Sequence, residues 1–522
     1  MRRQVILGDS QASAAISYSA EHDTLDDLFR RAAMRRPGEF ALIDPPDRRT
    51  FAEGAPRYVT YAAADRMVSA IAGRLRWLGL PRDTVIGLQM PNMVEGVLAL
   101  LGVLRAGMVA APLPLLWRHE DLVAALARIG AKAIIAGGRV GSDNLCDVAM
   151  HVAAELFSIR HVCGFGCGYS DGVVELEKLF TADELDPAPP IKRSGNPAAH
   201  LALITWDTTA RGYVPVARSH AELIAGGMTV VLEGQIVPDA TILATSMLGS
   251  FPGLALGVMP WLLIGGTLVL HQPFDSQMFA AQCAEHCCDT VVLPGPLVPQ
   301  LQEAGLLAHD GLHNVLAVWR CPERLATSQR CSLASAGLVD VLAFGEIGLI
   351  AARRDAFGMP TTLALGRVTV PRGGVPGGML VVETARTEAG TLALRGPMIP
   401  RNPFAPEAEA GDEPFFKSDA AGFMDTGYPC RLVRATGAME LSGPPAGVIN
   451  VGGYRFGRRA LQERISQIES GATIAALPDA ILSHRLAGSA RDRAAIQQAL
   501  FARGANPLLA GAFRDRRKAH AA

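Results

Sequence analysis

Net charge is nearly absent from this sequence: 49 Lys and Arg stand against 50 Asp and Glu. The basic run "RDRRK", Arg514 to Lys518, is confined to the C-terminal end. Electrostatic capture of a polyanion needs a cationic face, so nucleic acid is excluded as an expected partner. A cysteine framework is lacking too, since nine cysteines spread over 522 residues form no secretory or zinc pattern. "CAEHCCD" brings Cys283, His286, Cys287 and Cys288 together without a second ligand pair. No metal ligands are assigned, and the segment reads as buried thiols on a helix. "CGFGCG", Cys163 to Gly168, has no helix-like segment directly after it and reads as a loop. The N-terminal stretch "MRRQVILGDSQASAAISYSAEHD" lacks the sustained apolar core of a signal peptide, which makes a reducing cytoplasm the expected compartment. An unbroken membrane span is missing as well. The uncharged stretch from Thr241 to Leu270 exceeds the roughly twenty residues a span requires, but Pro252, Pro260 and the pair Gly265-Gly266 break it into an expected buried helix, a turn and the strand "GTLVL". No internal repeat or low-complexity tract is present.

What the sequence does have is apolar residues, 49% of 522, enough for more than one core and hence two or three domains. Elements alternate along the chain. "TLDDLFRRAAMRRP" has helical spacing behind a capping threonine, and "YAAADRMVSAIAGRLRWLGL" is a longer amphipathic helix ending near Gly79. The strand "DTVIGLQM", the apolar helix "NMVEGVLALLGVLRAG", the strand "MVAAPL", the helix "HEDLVAALARIG" and the strand "AKAIIA" follow. This β-α-β order predicts an α/β chain with parallel sheets covered by helices on both faces. "TADELDPAPPIKRSGNP" reads as a surface connector.

The order of the pieces resembles the adenylate-forming, or AMP-dependent synthetase/ligase, superfamily, which includes acyl-CoA and aryl-CoA synthetases. The resemblance begins in "VIGLQMPNMVEGVLALLGVLRAGMVAAPLPLLWRHEDL" and continues through "LGSFPGLALGVMPWLLIGGTLVLHQPFD", "AFGEIGL", "GTLALRGPMI", "GFMDTGY" and "GVINVGGYRFGRRALQERI". It implies a multi-domain α/β fold with parallel sheets and a distorted β-barrel, residues 1–442, followed by a small, shortened C-terminal lid, residues 443–522. It also implies a reaction in which a carboxylate attacks Mg-ATP and a thiol then displaces AMP. ATP or AMP, magnesium and coenzyme A, or a carrier protein, are therefore the implied cofactors and partners, and an acyl or aryl carboxylate the implied substrate.

Carried over residue by residue, the resemblance meets departures. The phosphate loop implied at "TWDTTARGYVP" keeps Thr205, Thr208 and Thr209, but Trp206 stands for a serine, Asp207 and Ala210 for glycines, and Tyr213 for the lysine. A carboxylate at Asp207 would repel a triphosphate. Arg211 and Arg218 are the cations available in exchange. At the aromatic-Gly-Met-Thr-Glu motif, Phe344 and Gly345 match, whereas Ile347 and Gly348 replace the threonine and the magnesium carboxylate; Glu346 lies two residues earlier. The ribose-binding Thr-Gly-Asp reads Thr426-Gly427-Tyr428, with Asp425 expected on the other face of a strand. The hinge reads "GPPAG", Gly443 to Gly447, and the C-terminal lysine position falls on Ala512, with Lys518 beyond it.

The implied cofactor-binding residues are thus Thr205, Thr208, Thr209, Arg211, Phe344, Gly345, Glu346, Thr426 and Tyr428, and no catalytic residue is assigned. An acyl pocket is implied along Phe251 to Met259 and the segment "LVDVLAF". Two functions stay open. One is a divergent acyl-CoA ligase with impaired or lost adenylation; the other is a non-catalytic acyl-binding, partner or scaffold protein on the same fold.

Overall fold

The computed structural model describes residues 3–5, 16–18, 22–166, 171–180, 191, 193–210, 212–327, 330–333, 335–370, 378–401 and 418–514. Two large sheets dominate. The first has seven strands in the spatial order Val174–Glu175, His161–Phe165, Ala133–Gly137, Val85–Gln89, Val109–Pro112, Leu201–Thr209 and Gly212–Ser219, parallel except for the last, antiparallel pair. The second has eight, with Asn314–Trp319, Thr290–Pro294, Thr241–Ala244 and Thr267–Leu270 parallel at its centre and antiparallel strands at both edges. A six-stranded antiparallel sheet, spanning Leu363–Ala364 to Ala438–Leu441, curls into a half-barrel. A four-stranded antiparallel sheet with the helices Arg458–Ser466 and Arg493–Ala502 closes the chain around an apolar core of its own.

Local chemistry sets the helices. Thr24 and Asp27 form a capping box at the start of Leu25–Arg35, and Ser219 and Glu222 form another at His220–Gly234. Every residue of Val94–Arg105 is buried, including Glu95 and Arg105, because the helix packs in the core shared by both large sheets. Asn92, just ahead of it, ties those sheets together by donating to Ala244 O and His271 O at 3.0 and 3.3 Å. The uncharged stretch, expected as one buried helix, a turn and a strand, holds two strands and two helices, Thr241–Ala244, Phe251–Leu256, Val258–Ile264 and Thr267–Leu270, the helices meeting at Gly257 and the second ending at Gly265 with φ +69°. Among the described residues no helix is long and apolar enough to cross a membrane.

Two further local expectations are corrected. Cys163 to Phe165 belong to the strand His161–Phe165, which Val162 and Cys163 help bury, and are not loop; Cys167 and Gly168 lie outside the described residues. Cys283 is on the helix Ser276–Glu285 and buried, and Cys288 is buried after it, but Cys287 is exposed beyond the helix end. Residues 181–190 of the expected connector also lie outside the described residues.

Candidate functional site

The stretch that the resemblance casts as a phosphate loop is a hairpin. Leu201–Thr209 pairs with Gly212–Ser219 up to Thr208 opposite Tyr213 and Thr209 opposite Gly212. Arg211 lies outside the described residues. The cause is visible in the residues: Trp206, Val214 and Val216 suit a buried pleat, and glycines that would let successive N–H groups converge are absent at Asp207 and Ala210. A ladder consumes the backbone donors that a phosphate cradle would offer.

The threonines are turned to protein partners. Thr208 Oγ1 donates to Arg455 O at 3.3 Å and Thr209 Oγ1 to Gly212 O at 3.2 Å. Thr205 is buried, its hydroxyl without a partner among the described residues. Asp207 is fixed from three sides: Thr208 N donates at 2.6 Å, Glu346 N at 2.9 Å, and the Arg455 guanidinium forms an ion pair with it. Gly345 must be glycine here. Its φ is +58°, and a Cβ would overlap both the Asp207 carboxylate and the Arg455 guanidinium.

Glu346 is buried, accepts from Phe251 N at 2.6 Å and faces Arg320 at 3.5 Å. Burial pushes its carboxyl above the ordinary range, against Arg320 and the Phe251 amide. It caps the short helix Phe251–Leu256 and lines the small cavity beside the hairpin. Arg218, an expected phosphate cation, is 1% exposed: it donates to Glu346 O and to Ile347 O, the latter at 2.8 Å, and lies 3.8 Å above the Phe251 ring. Burial lowers its pKa to about 10. Through Nη2 and the Phe251 ring it holds the 344–347 loop, while its Nε and Nη1 have no hydrogen-bond partner among the described residues.

On the ribose side, Thr426 donates to Leu392 O at 2.7 Å, and Asp425 is exposed, accepting from Gly427 N at 2.8 Å. Tyr428 is fully buried, its ring edge-on to Phe344 at 5.5 Å and its hydroxyl without a partner among the described residues. Burial raises its pKa. The two aromatic rings fill each other's surroundings. Phe251 to Met259, expected along an acyl pocket, is buried throughout and packs on Gly226 and Gly227, where a Cβ would fall 2.7 Å from Phe251 and 2.4 Å from Met259, respectively. Ala512 is buried in the core of the last sheet, and Lys518 is outside the described residues.

Two open spaces border the hairpin: one of about 260 Å³ lined by Arg128, Thr208, Tyr213, Phe456 and Arg464, and a small cavity of about 50 Å³ between the hairpin, Met90, Met247, Arg320, Glu346 and the segment Gly453–Arg455. One wall is aromatic, with Trp117 4.3 Å from Tyr213 and 5.6 Å from Trp206. Ligand sites generally run to hundreds of Å³. With Tyr213 in place of a lysine and Asp207 in place of a glycine, the residues as arranged do not fit a triphosphate or its magnesium.

Comparison with known proteins settles the family. Residues 29–335 match the AMP-binding enzyme family. The chain belongs to that family. It is 28% identical over 491 residues to the 2-hydroxy-7-methoxy-5-methyl-1-naphthoate–CoA ligase of Streptomyces carzinostaticus, covering 89% of this chain and 83% of the ligase. It is 25% identical over 300 residues to human long-chain fatty acid transport protein 1, covering 56% of this chain but only 44% of that protein, so the match spans less than half of the transport protein's length. Among solved structures, the fused adenylation–carrier protein NpsA-ThdA from Klebsiella oxytoca superposes with a TM-score of 0.66 at 16% identity over 96% of both chains. The apo structure of Mycobacterium smegmatis MbtA gives 0.62 at 21% identity over 93% of this chain and 90% of that one. These likenesses place 93–96% of the chain in the adenylate-forming fold.

Within this member of the family, Arg455, Tyr454, Arg320 and Trp117 were not singled out by sequence reasoning. The available signal was "YRFG", one arginine in a short strand otherwise aromatic and small.

Proposed function

We propose that this AMP-binding family protein is a divergent acyl- or aryl-CoA-ligase-like chain in which ATP-dependent activation of a carboxylate is impaired. The observation carrying this reading is the hairpin at Leu201–Ser219, with its threonine hydroxyls turned to Arg455 O and Gly212 O and its Asp207 carboxylate paired to Arg455. Loss of one stabiliser of developing charge costs about a hundredfold to a thousandfold in rate, and losses within one unit are not simply multiplied. The division into residues 1–442 and 443–522, a cytoplasmic setting, and coenzyme A or a carrier protein as thiol partner belong to the same proposal.

A second reading, a non-catalytic acyl-binding or partner protein, is favoured by the wall of Trp117, Trp206 and Tyr213, which offers aromatic surface where a phosphate site would offer donors. Calorimetric titration with Mg-ATP and AMP, together with pyrophosphate exchange over a panel of acyl and aryl carboxylates, tests the first. Absence of saturable nucleotide binding at millimolar concentration and absence of exchange are expected. Exchange that saturates with ATP and is lost in Thr209→Ala would overturn it. A carboxylate that quenches tryptophan fluorescence saturably in the absence of nucleotide supports the second reading.

A further inference from the structure

The segment Gly453-Tyr454-Arg455 enters the small cavity as a wedge from the last sheet. Its head is fastened at three points. Arg455 pairs with Asp207, Thr208 Oγ1 donates to Arg455 O at 3.3 Å, and the Tyr454 hydroxyl accepts from Leu116 N at 3.2 Å while lying 3.7 Å from Met247 Sδ. Backbones meet closely alongside: a Cβ on Gly457 would come 2.7 Å from Thr209 O, and one on Gly447 2.8 Å from Ala210 Cβ. Asp207 is held ready by Thr208 N and Glu346 N independently of Arg455. Arg455 Nε, by contrast, has no partner among the described residues, so the guanidinium depends on Asp207.

A buried ion of either sign is strongly disfavoured once its partner is withdrawn. Asp207 is buried and the Arg455 side chain is 13% exposed, so separating the pair is costly above all for the carboxylate. The acidic half stands where the family resemblance implies a glycine, so the pair is a feature of this chain's own residues. Another ion pair, Arg464 with Asp121 at 2.9 Å, anchors the following helix, but neither residue lines the small cavity.

We propose that Asp207 and Arg455 form a latch that keeps the Gly453–Arg455 wedge in the cavity, and that a ligand enters only when this latch opens. The latch stands whether or not adenylation survives, because it concerns access and not chemistry. Its occupant is the chain's own guanidinium. An entering anion that captures Arg455 would still confront Asp207, so the latch also disfavours triphosphate.

Hydrogen–deuterium exchange on the full chain tests this. The amide of Leu116 is a direct reporter because its acceptor is Tyr454. In Arg455→Met and in Asp207→Asn, exchange at Leu116 and across residues 447–457 is expected to rise at least tenfold, with Thr290–Pro294 unchanged within twofold. Arg455→Lys, which keeps the charge, is expected to stay within threefold of the parent. Unchanged exchange at Leu116 in both charge-removing variants overturns the latch. A rise that includes Thr290–Pro294 to the same degree also overturns it, because the pair would then be a folding contact. Should Arg455→Met fail to fold, Tyr454→Phe removes the Leu116 acceptor alone and calibrates the reporter, while Asp207→Asn carries the decision.

Discussion

Replacing Arg48 with methionine strikes a buried charge network at the start of the central helix Val94–Arg105. Arg48 is 3% exposed and donates to Asp44 at 2.6 Å and to Glu95 at 2.7 and 3.0 Å, while both carboxylates are fully buried. Arg57 shares Glu95 at 2.7 Å. Asp44 also accepts from Val94 N at 2.8 Å, which fixes the start of the central helix. Burial, and then Glu95, push the Asp44 carboxyl up to about 6, against the pull of Arg48. A carboxyl with a raised folded-state pKa binds its proton more tightly when folded, so its contribution to stability is full below the ordinary value of 3.8 and is lost as pH rises through about 6. Arg48→Met removes the cation that opposes this rise. With both carboxylates charged, breaking a buried ionic cluster costs about 3–5 kcal/mol; when Asp44 can take a proton cheaply the cost falls by about 1.4 kcal/mol per pH unit of bound proton. Urea unfolding at pH 8 and pH 5 is expected to show a loss of about 3–5 kcal/mol at the higher pH and about 2 kcal/mol less at the lower. A loss below about 1 kcal/mol at both, or a greater loss at pH 5, would refute the reasoning.

Tyr428→Phe deletes a buried hydroxyl that has no partner among the described residues. Thermal unfolding should change by less than about 0.5 kcal/mol or improve by up to about 1 kcal/mol, and a loss above about 1 kcal/mol would reveal a bond to that hydroxyl. Gly345→Ala forces an L residue to φ +58° and drives a Cβ into the Asp207–Arg455 pair. A cost of about 1–2 kcal/mol from the left-handed backbone alone should be joined by faster exchange at Leu116, and a neutral result on both would contradict the described packing.

Periodicity and caps made much of the scaffold legible. Thr24 caps the first helix, Val94–Arg105 and Val109–Pro112 fall on their predicted segments, and Gly265 ends the second helix of the uncharged run, whereas Pro252 and Pro260 sit within the first turns of its two helices and the break between them falls at Gly257. The candidate site was only half legible. Substitutions at Asp207, Tyr213 and Tyr428 were apparent as departures, but their partners were not: Asp207 and Arg455 are 248 positions apart. Local pattern carries no information about such a pairing. Arg218 misled for a related reason, since a cation near a loop reads as a ligand-binding group until its burial against Phe251 and two carbonyls is known.

The ladder between Leu201–Thr209 and Gly212–Ser219 bears on reversibility. Restoring a lysine at Tyr213 or a glycine at Asp207 one at a time would leave the strands zipped, with Thr208 still opposite position 213 and the N–H groups still committed across the pair. Descent from a phosphate-gripping ancestor would then act as a ratchet: each single reversion meets a backbone already closed against it. An engineer seeking to recover nucleotide chemistry would have to rebuild the loop as a unit.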